Sequence, residues 1–195
     1  MGSKKIGWIV LCIGVLGFIA WGPIISHVEQ PSYNIVETSG NIEIRDYAPT
    51  IVAETHISGL REVAINQGFR LIADYIFGNN APAHKVAMTA PVTQQQSDNV
   101  WTVRFTMPSG YTLSSLPVPN SKEVTLKEIG RKRMAVIRFS GMWNTAHLKK
   151  YEEELTGFIH QKGLKPASSA TYAFYNPPRT LPFLRRNEVM IEITQ

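Results

Sequence analysis

The chain has 195 residues, with 20 Lys and Arg against 15 Asp and Glu, a net charge of +5, and one cysteine. That length holds one ordinary domain plus an appendage. A single cysteine excludes a disulfide framework, and basic residues that are scattered rather than blocked argue against a nucleic-acid partner.

The appendage comes first. Residues 6–25, IGWIVLCIGVLGFIAWGPII, are 20 positions without a charge. At 1.5 Å per residue they make about 30 Å of helix, the thickness of a bilayer's hydrocarbon core. Trp8 and Trp21 lie near the two ends, where amphipathic rings favour the interface. A cleaved signal peptide is the competing reading, but its apolar region is usually ~7–15 residues. The only passable cleavage site, Ala20-Trp21-Gly22, is followed by Pro23. Lys4 and Lys5 precede the span and no Lys or Arg follows until Arg45, so the expected orientation puts the N-terminus in the cytoplasm and the rest outside. Residues 1–30 are thus read as a membrane anchor with a short linker, and 31–195 as the domain.

Within the domain, alternation in Ile42-Glu43-Ile44 and in Ile51-Val52-Ala53 predicts strands, with Ala48-Pro49 as the turn between them. A helix is predicted over 60–77, stopped by Gly78. The stretches KVAMTAPV (85–92) and VWTVRFTMP (100–108) read as a second strand pair, although Pro91 has no N–H to give a neighbour. The order β-β-α-β-β then returns: VTLKEI and RMAVIRFSG as strands, a helix ending at Gly163, and TYAFYN and NEVMIEI as strands. A constant offset of 82 aligns Ile44-Arg45-Asp46 with Leu126-Lys127-Glu128, Ala53 with Ala135, and Ser58-Gly59 with Ser140-Gly141. The expectation is an α+β domain: an antiparallel, distorted β-barrel with two helices, built from two ββαββ-type pseudo-repeats and preceded by one transmembrane helix.

The two helices differ. The second has one narrow apolar stripe of Leu148, Tyr151, Leu155, Phe158 and Ile159, suited to lying on a sheet. The first carries Ile65, Phe69, Ile72 and Ile76 on one face, with Leu71, Tyr75 and Phe77 beside it. So broad an arc means either deeper burial or a second apolar surface that receives a flat ligand. Catalytic signatures are missing: no G-x-S-x-G, no P-loop, and no zinc-type spacing among histidines 27, 56, 84, 147 and 160. On spacing alone Met88 is either core filling or part of a ligand-binding edge.

Four runs carry a resemblance. They are YNIVETSGNIEIRDYAP, then Gly68-Phe69 with Tyr75-Ile76 and Gly78, then KVAMTAPV, and finally Arg185-Arg186-Asn187-Glu188-Val189. Together, in this order, they resemble the SOUL haem-binding family over roughly residues 33–195. The resemblance implies a distorted β-barrel and tetrapyrrole binding in an apolar groove beside the first helix; the resulting expectation is haem carriage or buffering, not catalysis. A porphyrin needs apolar walls, for which Phe69, Ile72, Ala73, Ile76 and Phe77 are candidates, and cations for its propionates, for which Arg70 and Lys85 are candidates. Some SOUL members have a histidine within the R-x-Y of the first strand pair as an axial ligand, whereas this chain has Asp46. The axial ligand therefore stays open, with Met88, His84 or no protein ligand as alternatives. Two rival readings remain. One is an effector-binding domain for cationic aromatic compounds, using a buried Glu54, Glu188 or Glu192. The other is a protein-interaction module whose loop 176–186 presents Arg179, Arg185 and Arg186.

Overall fold

The computed structural model describes residues 28–194. The expected span at 6–25 lies outside them, and among the described residues no helix is long and apolar enough to cross a membrane.

Three strands open the domain: β1 (Tyr33–Ser39), β2 (Ile42–Tyr47) and β3 (Thr50–Ser58), followed by α1 (Arg61–Ile76). Short β4 (Asn80–Ala81) precedes β5 (Val92–Ser97) and β6 (Val100–Thr106). The second half runs β7 (Val118–Pro119), β8 (Thr125–Ile129), β9 (Lys132–Phe139), α2 (Thr145–Gln161), β10 (Lys165–Pro166), β11 (Thr171–Phe174) and β12 (Asn187–Thr194). Both helices follow a glycine in the left-handed region, Gly59 at φ +110° and Gly141 at φ +108°, which turns the chain off the sheet where a Cβ would be strained.

The main sheet is antiparallel, in the order β1-β2-β9-β12-β11-β5-β6-β3-β8. β1 and β8 are its edges, so the expected barrel is an open, curled half-barrel. In the β2–β9 ladder Ile42 faces Ile137 and Tyr47 faces Lys132; in the β3–β8 ladder Thr50 faces Ile129 and Ala53 faces Leu126. A shift of 82 turns one register into the other, Tyr47↔Lys132 becoming Ile129↔Thr50.

Each helix covers one half of the outer face. α1 packs on β3 and β6 around Ala53, Ile72, Tyr75, Ile76, Val103 and Phe105. α2 lays Leu148, Leu155 and Ile159 on Ile44, Ala135 and Val189, with Tyr151 and Phe158 partly buried beside them, as its stripe predicts. The small side chains of Ala53 and Ala135, both fully buried, let a helix approach the sheet in each half. The opposite face has its own cluster of Met134, Val136, Ala173 and Met190. Strand β9 is therefore buried on both sides, which explains its near-continuous apolar run.

One expected strand is missing. Residues 85–91 form an extended connector, and the strand begins only at Val92. The alternation of Val86 and Met88 mimics a strand, but β6, its expected partner, is already paired on both sides, by β3 and by β5. The Val86 amide donates instead to the Ile76 carbonyl at the end of α1 (2.9 Å), and Thr89 forms a single bridge to Glu29.

Candidate functional site

The structure divides the residues expected to line a ligand groove. Ile72 and Ile76 are 0% and 1% exposed: they point into the sheet and are core, so they offer no wall to a ligand. Phe69, Phe77 and Met88 are 40%, 58% and 48% exposed, with Ala73 half-buried between the two phenylalanines on the helix. Helical geometry explains the split. Ile72 and Ile76 lie four residues apart on the face that meets β3 and β6, whereas Phe69, Ala73 and Phe77 form the neighbouring row at the same spacing. The Phe69 ring still touches the core at its edge, 6.4 Å from the Phe105 ring. The connector passes alongside the end of α1 through the Val86–Ile76 bond and holds Met88 two residues further on. Asn80 fixes the turn that makes this possible: its side-chain amide donates to the carbonyls of Tyr75 (2.7 Å) and His84 (2.8 Å), and its oxygen accepts from the His84 amide.

Arg70 and Lys85 are exposed, on α1 and on the connector. Arg70 spends one donor on the Asn66 carbonyl (3.2 Å), leaving the rest of the guanidinium to solvent or ligand. The arrangement is an exposed surface of aromatic and thioether groups with cations on the same elements. It is not an enclosed cavity.

Asp46 is remote from it. It sits on β2, with four strands between it and β6 in the sheet order, and accepts two hydrogen bonds of 2.7 Å from Arg133. Those bonds hold its carboxyl below the usual range. Among the described residues no group of three or more His, Cys, Asp or Glu could hold a metal ion.

The concave side of the sheet carries charges that sequence reading did not connect. Glu188 is fully buried and accepts from Arg45 through both oxygens (3.0 and 3.1 Å), from Arg186 (2.8 Å) and from the Tyr175 hydroxyl (2.7 Å). Arg45 also reaches Glu43 (2.7 Å) and lies over the Tyr33 ring. Burial alone would push the Glu188 carboxyl up, but Arg45, Arg186 and Tyr175 hold it below the usual carboxylate range. Burial drives Tyr47 up to about 12, against the pull of Arg45. Glu54, on the other half, is bound by Arg104 (2.8 Å) and approached by the His56 ring (3.3 Å) and by Lys127 (3.9 Å). Glu192 pairs with Lys132. All three carboxylates proposed to attract a cationic effector are therefore already neutralised by the chain. In loop 176–186, Arg185 is bound to the Thr180 and Pro178 carbonyls and lies over Trp143, and Arg186 is held by Glu188. Of the three, Arg179 alone is exposed, as the interaction-module reading requires.

The signal for the concave network was the strand alternation itself. In IEIRDY and VWTVRFT the polar positions read as a solvent-facing side, but the curl of the sheet folds that side inward.

A family model described as SOUL heme-binding protein matches residues 28–192. Heme-binding protein 2 of Homo sapiens is 27% identical over 177 residues, covering 84% of this chain and 85% of that protein. Heme-binding protein 2 of Mus musculus is 28% identical over 188 residues, covering 89% and 90%. Among solved structures, the EcmrR C-terminal domain superposes with a TM-score of 0.59 at 8% identity, covering 84% of this chain and 98% of that one. A hydrolase from Listeria innocua gives 0.57 at 8% identity, covering 82% and 94%. At such identities those two likenesses speak for the fold alone. The family match, spanning both helices and all the strands that position the α1 flank, identifies the chain as a member of the SOUL haem-binding family.

Proposed function

We propose that this domain binds haem or a related porphyrin along the exposed flank of α1, for carriage or buffering and not for catalysis. The observation that carries the reading is the row Phe69, Ala73 and Phe77, continued by Met88, which leaves three large apolar side chains exposed on α1 and its following connector. Exposed apolar surface of this kind costs free energy in water and is relieved by a flat apolar ligand. Arg70 and Lys85 suit the propionates, by charge-assisted hydrogen bonds. Family membership and the names of the relatives support the ligand class. Met88 on the connector and His84 just before it, both exposed, are the side chains there that would hold iron. The test is a titration of haemin into the full chain in detergent, against detergent blanks, following the Soret band. A saturable one-to-one shift is expected, and its absence would overturn the reading.

The charge-free run at 6–25 with Lys4 and Lys5 before it supports a single-pass anchor, with the domain outside the cytoplasm. Full-length protein is expected to stay with membranes through carbonate and high-salt washes; a soluble mature form starting near residue 23 would refute the anchor. The matching ladder registers and the two positive-φ glycines favour reading the halves as repeats of one ββαββ-type unit.

A further inference from the structure

The two halves handle their concave charges differently. Under the offset of 82, Arg45 of β2 corresponds to Lys127 of β8. Arg45 is buried and belongs to a closed set in which two guanidiniums, Arg45 and Arg186, meet two carboxylates, Glu188 and Glu43. Lys127 is 56% exposed and reaches only to within 3.9 Å of Glu54. Glu54 is at the same time the partner of Arg104. Two permanent cations thus share one carboxylate, and His56 adds to their side whenever it is protonated. Lys132 does not alter the balance, because Glu192 neutralises it. Arg104 uses its Nε on Glu54 and Nη1 on Gln95 (2.9 Å), and among the described residues Nη2 has no acceptor. Among the described residues, one positive charge stands uncompensated on this wall.

The wall borders a cleft of about 250 Å³ in the trough of the curled sheet. Its apolar lining includes Val52, Met134 and Met190, and Thr93, Gln95 and Thr171 supply hydrogen-bonding groups. The cleft adjoins a wider groove that shares Thr50, Thr106 and Ile129 with it and adds Met107, Tyr111, Glu29 and Glu128. The carboxylates of that groove disfavour a second negative group there, so an amphipathic anion has one favoured direction. Its charge lies at Arg104 and Lys127, and its apolar body lies over the methionines or towards Met107 and Tyr111.

We infer that the trough of the sheet is a second binding site, distinct from the α1 flank, for a small organic anion with a flat apolar body, held by Arg104 and Lys127. The inference stands on the charge imbalance and the cleft, and is independent of haem binding.

The test uses 2-naphthoate as the probe, titrated into the full chain in detergent with detergent-only blanks, and read by calorimetry. The neutral 2-naphthamide serves as its control. Saturable binding of the carboxylate is expected, at least ten-fold tighter than that of the amide and weakening as salt rises. Lys127→Ala removes an exposed side chain with little risk to the fold and should weaken naphthoate about two- to five-fold. Glu54→Gln removes the competing carboxylate and should tighten it, an opposite sign that a merely structural role would not produce. Haemin affinity in Lys127→Ala should equal that of the unaltered protein. The inference is overturned if the amide binds as well as the carboxylate, or if Lys127→Ala, folded by circular dichroism, binds naphthoate unchanged. It is equally overturned if haemin displaces naphthoate competitively, since the two sites are then one.

Discussion

Truncation of the α1 apolar set should separate ligand binding from folding, because the structure places its members in two environments. Phe77 is 58% exposed. A phenylalanine presents about 200 Å² when fully open, so roughly 115 Å² of Phe77 is available to a ligand. A flat ligand covering half to all of this removes about 60–115 Å² from water, worth about 1.5–3 kcal/mol at roughly 25 cal/mol per Å². Phe77→Ala should therefore weaken haemin about ten- to a hundred-fold, with little change in melting temperature. Ile76, one residue earlier and 1% exposed, is packed between α1 and the sheet. Ile76→Ala should cost about 2–5 kcal/mol of stability, visible as a lowered urea midpoint, while the protein that remains folded binds haemin normally. Soret titrations and urea unfolding of the two variants supply the comparison. The reasoning fails if Phe77→Ala and Phe69→Ala, both folded, bind haemin like the unaltered chain. It also fails if Ile76→Ala weakens haemin without lowering the urea midpoint.

Further outcomes follow from the core. Glu188→Gln leaves Arg45 and Arg186 buried without their shared counter-charge and should cost about 3–5 kcal/mol in urea unfolding. Glu188 and Glu54 both have carboxyls held below the usual range in the folded protein, Glu188 by Arg45 and Arg186 and Glu54 by Arg104, in each case against the upward push of burial. The unfolded chain therefore takes up these protons first, so the stability they contribute is complete above about pH 5 and is lost as pH falls through their folded values. Urea midpoints measured from pH 7 down to pH 3 should drop in that window and drop less in Glu54→Gln. Gly68→Ala places a Cβ 2.7 Å from Val103 Cγ2 and 3.1 Å from Thr55 Cγ2, so α1 must lift from the sheet. Despite a better helix propensity it should lose about 1–3 kcal/mol, and Val103→Ala should recover part of the loss.

The Gly68 contact also explains why the sequence could announce a broad apolar arc on α1 but not divide it. Phe69, Ile72 and Ile76 all occur at helical spacing, and all are large and apolar. Which of them faces the sheet depends on the rotation of α1 about its axis. That rotation is set where Gly68 lets the helix backbone come down on Val103, 35 positions away. The α2 stripe needed no such information, because it is narrow and flanked by charge on both sides, so only one rotation buries it. The connector 85–91 failed as a strand for a related reason. Alternation shows that a segment can pair, but β6 had no free edge to offer it.

The same dependence on long-range pairing governs the charges. Ile42 and Ile44 announce one buried face of β2, and two-residue alternation then assigns Glu43 and Arg45 to the other, which a flat sheet would leave in water. Glu188 joins Arg45 across 143 positions only because β9 lies between β2 and β12, and because the curl turns their second face into a trough. A fully buried carboxylate is tolerated there because two guanidiniums and a phenol meet it; with fewer partners the carboxyl would take up a proton instead. Where the corresponding position in the other half is an exposed lysine that shares Glu54 with Arg104, the same geometry leaves one cation in excess among the described residues. The offset of 82 is visible in the sequence, whereas the difference in charge between the two halves lies in which carboxylates the strand order brings to each cation.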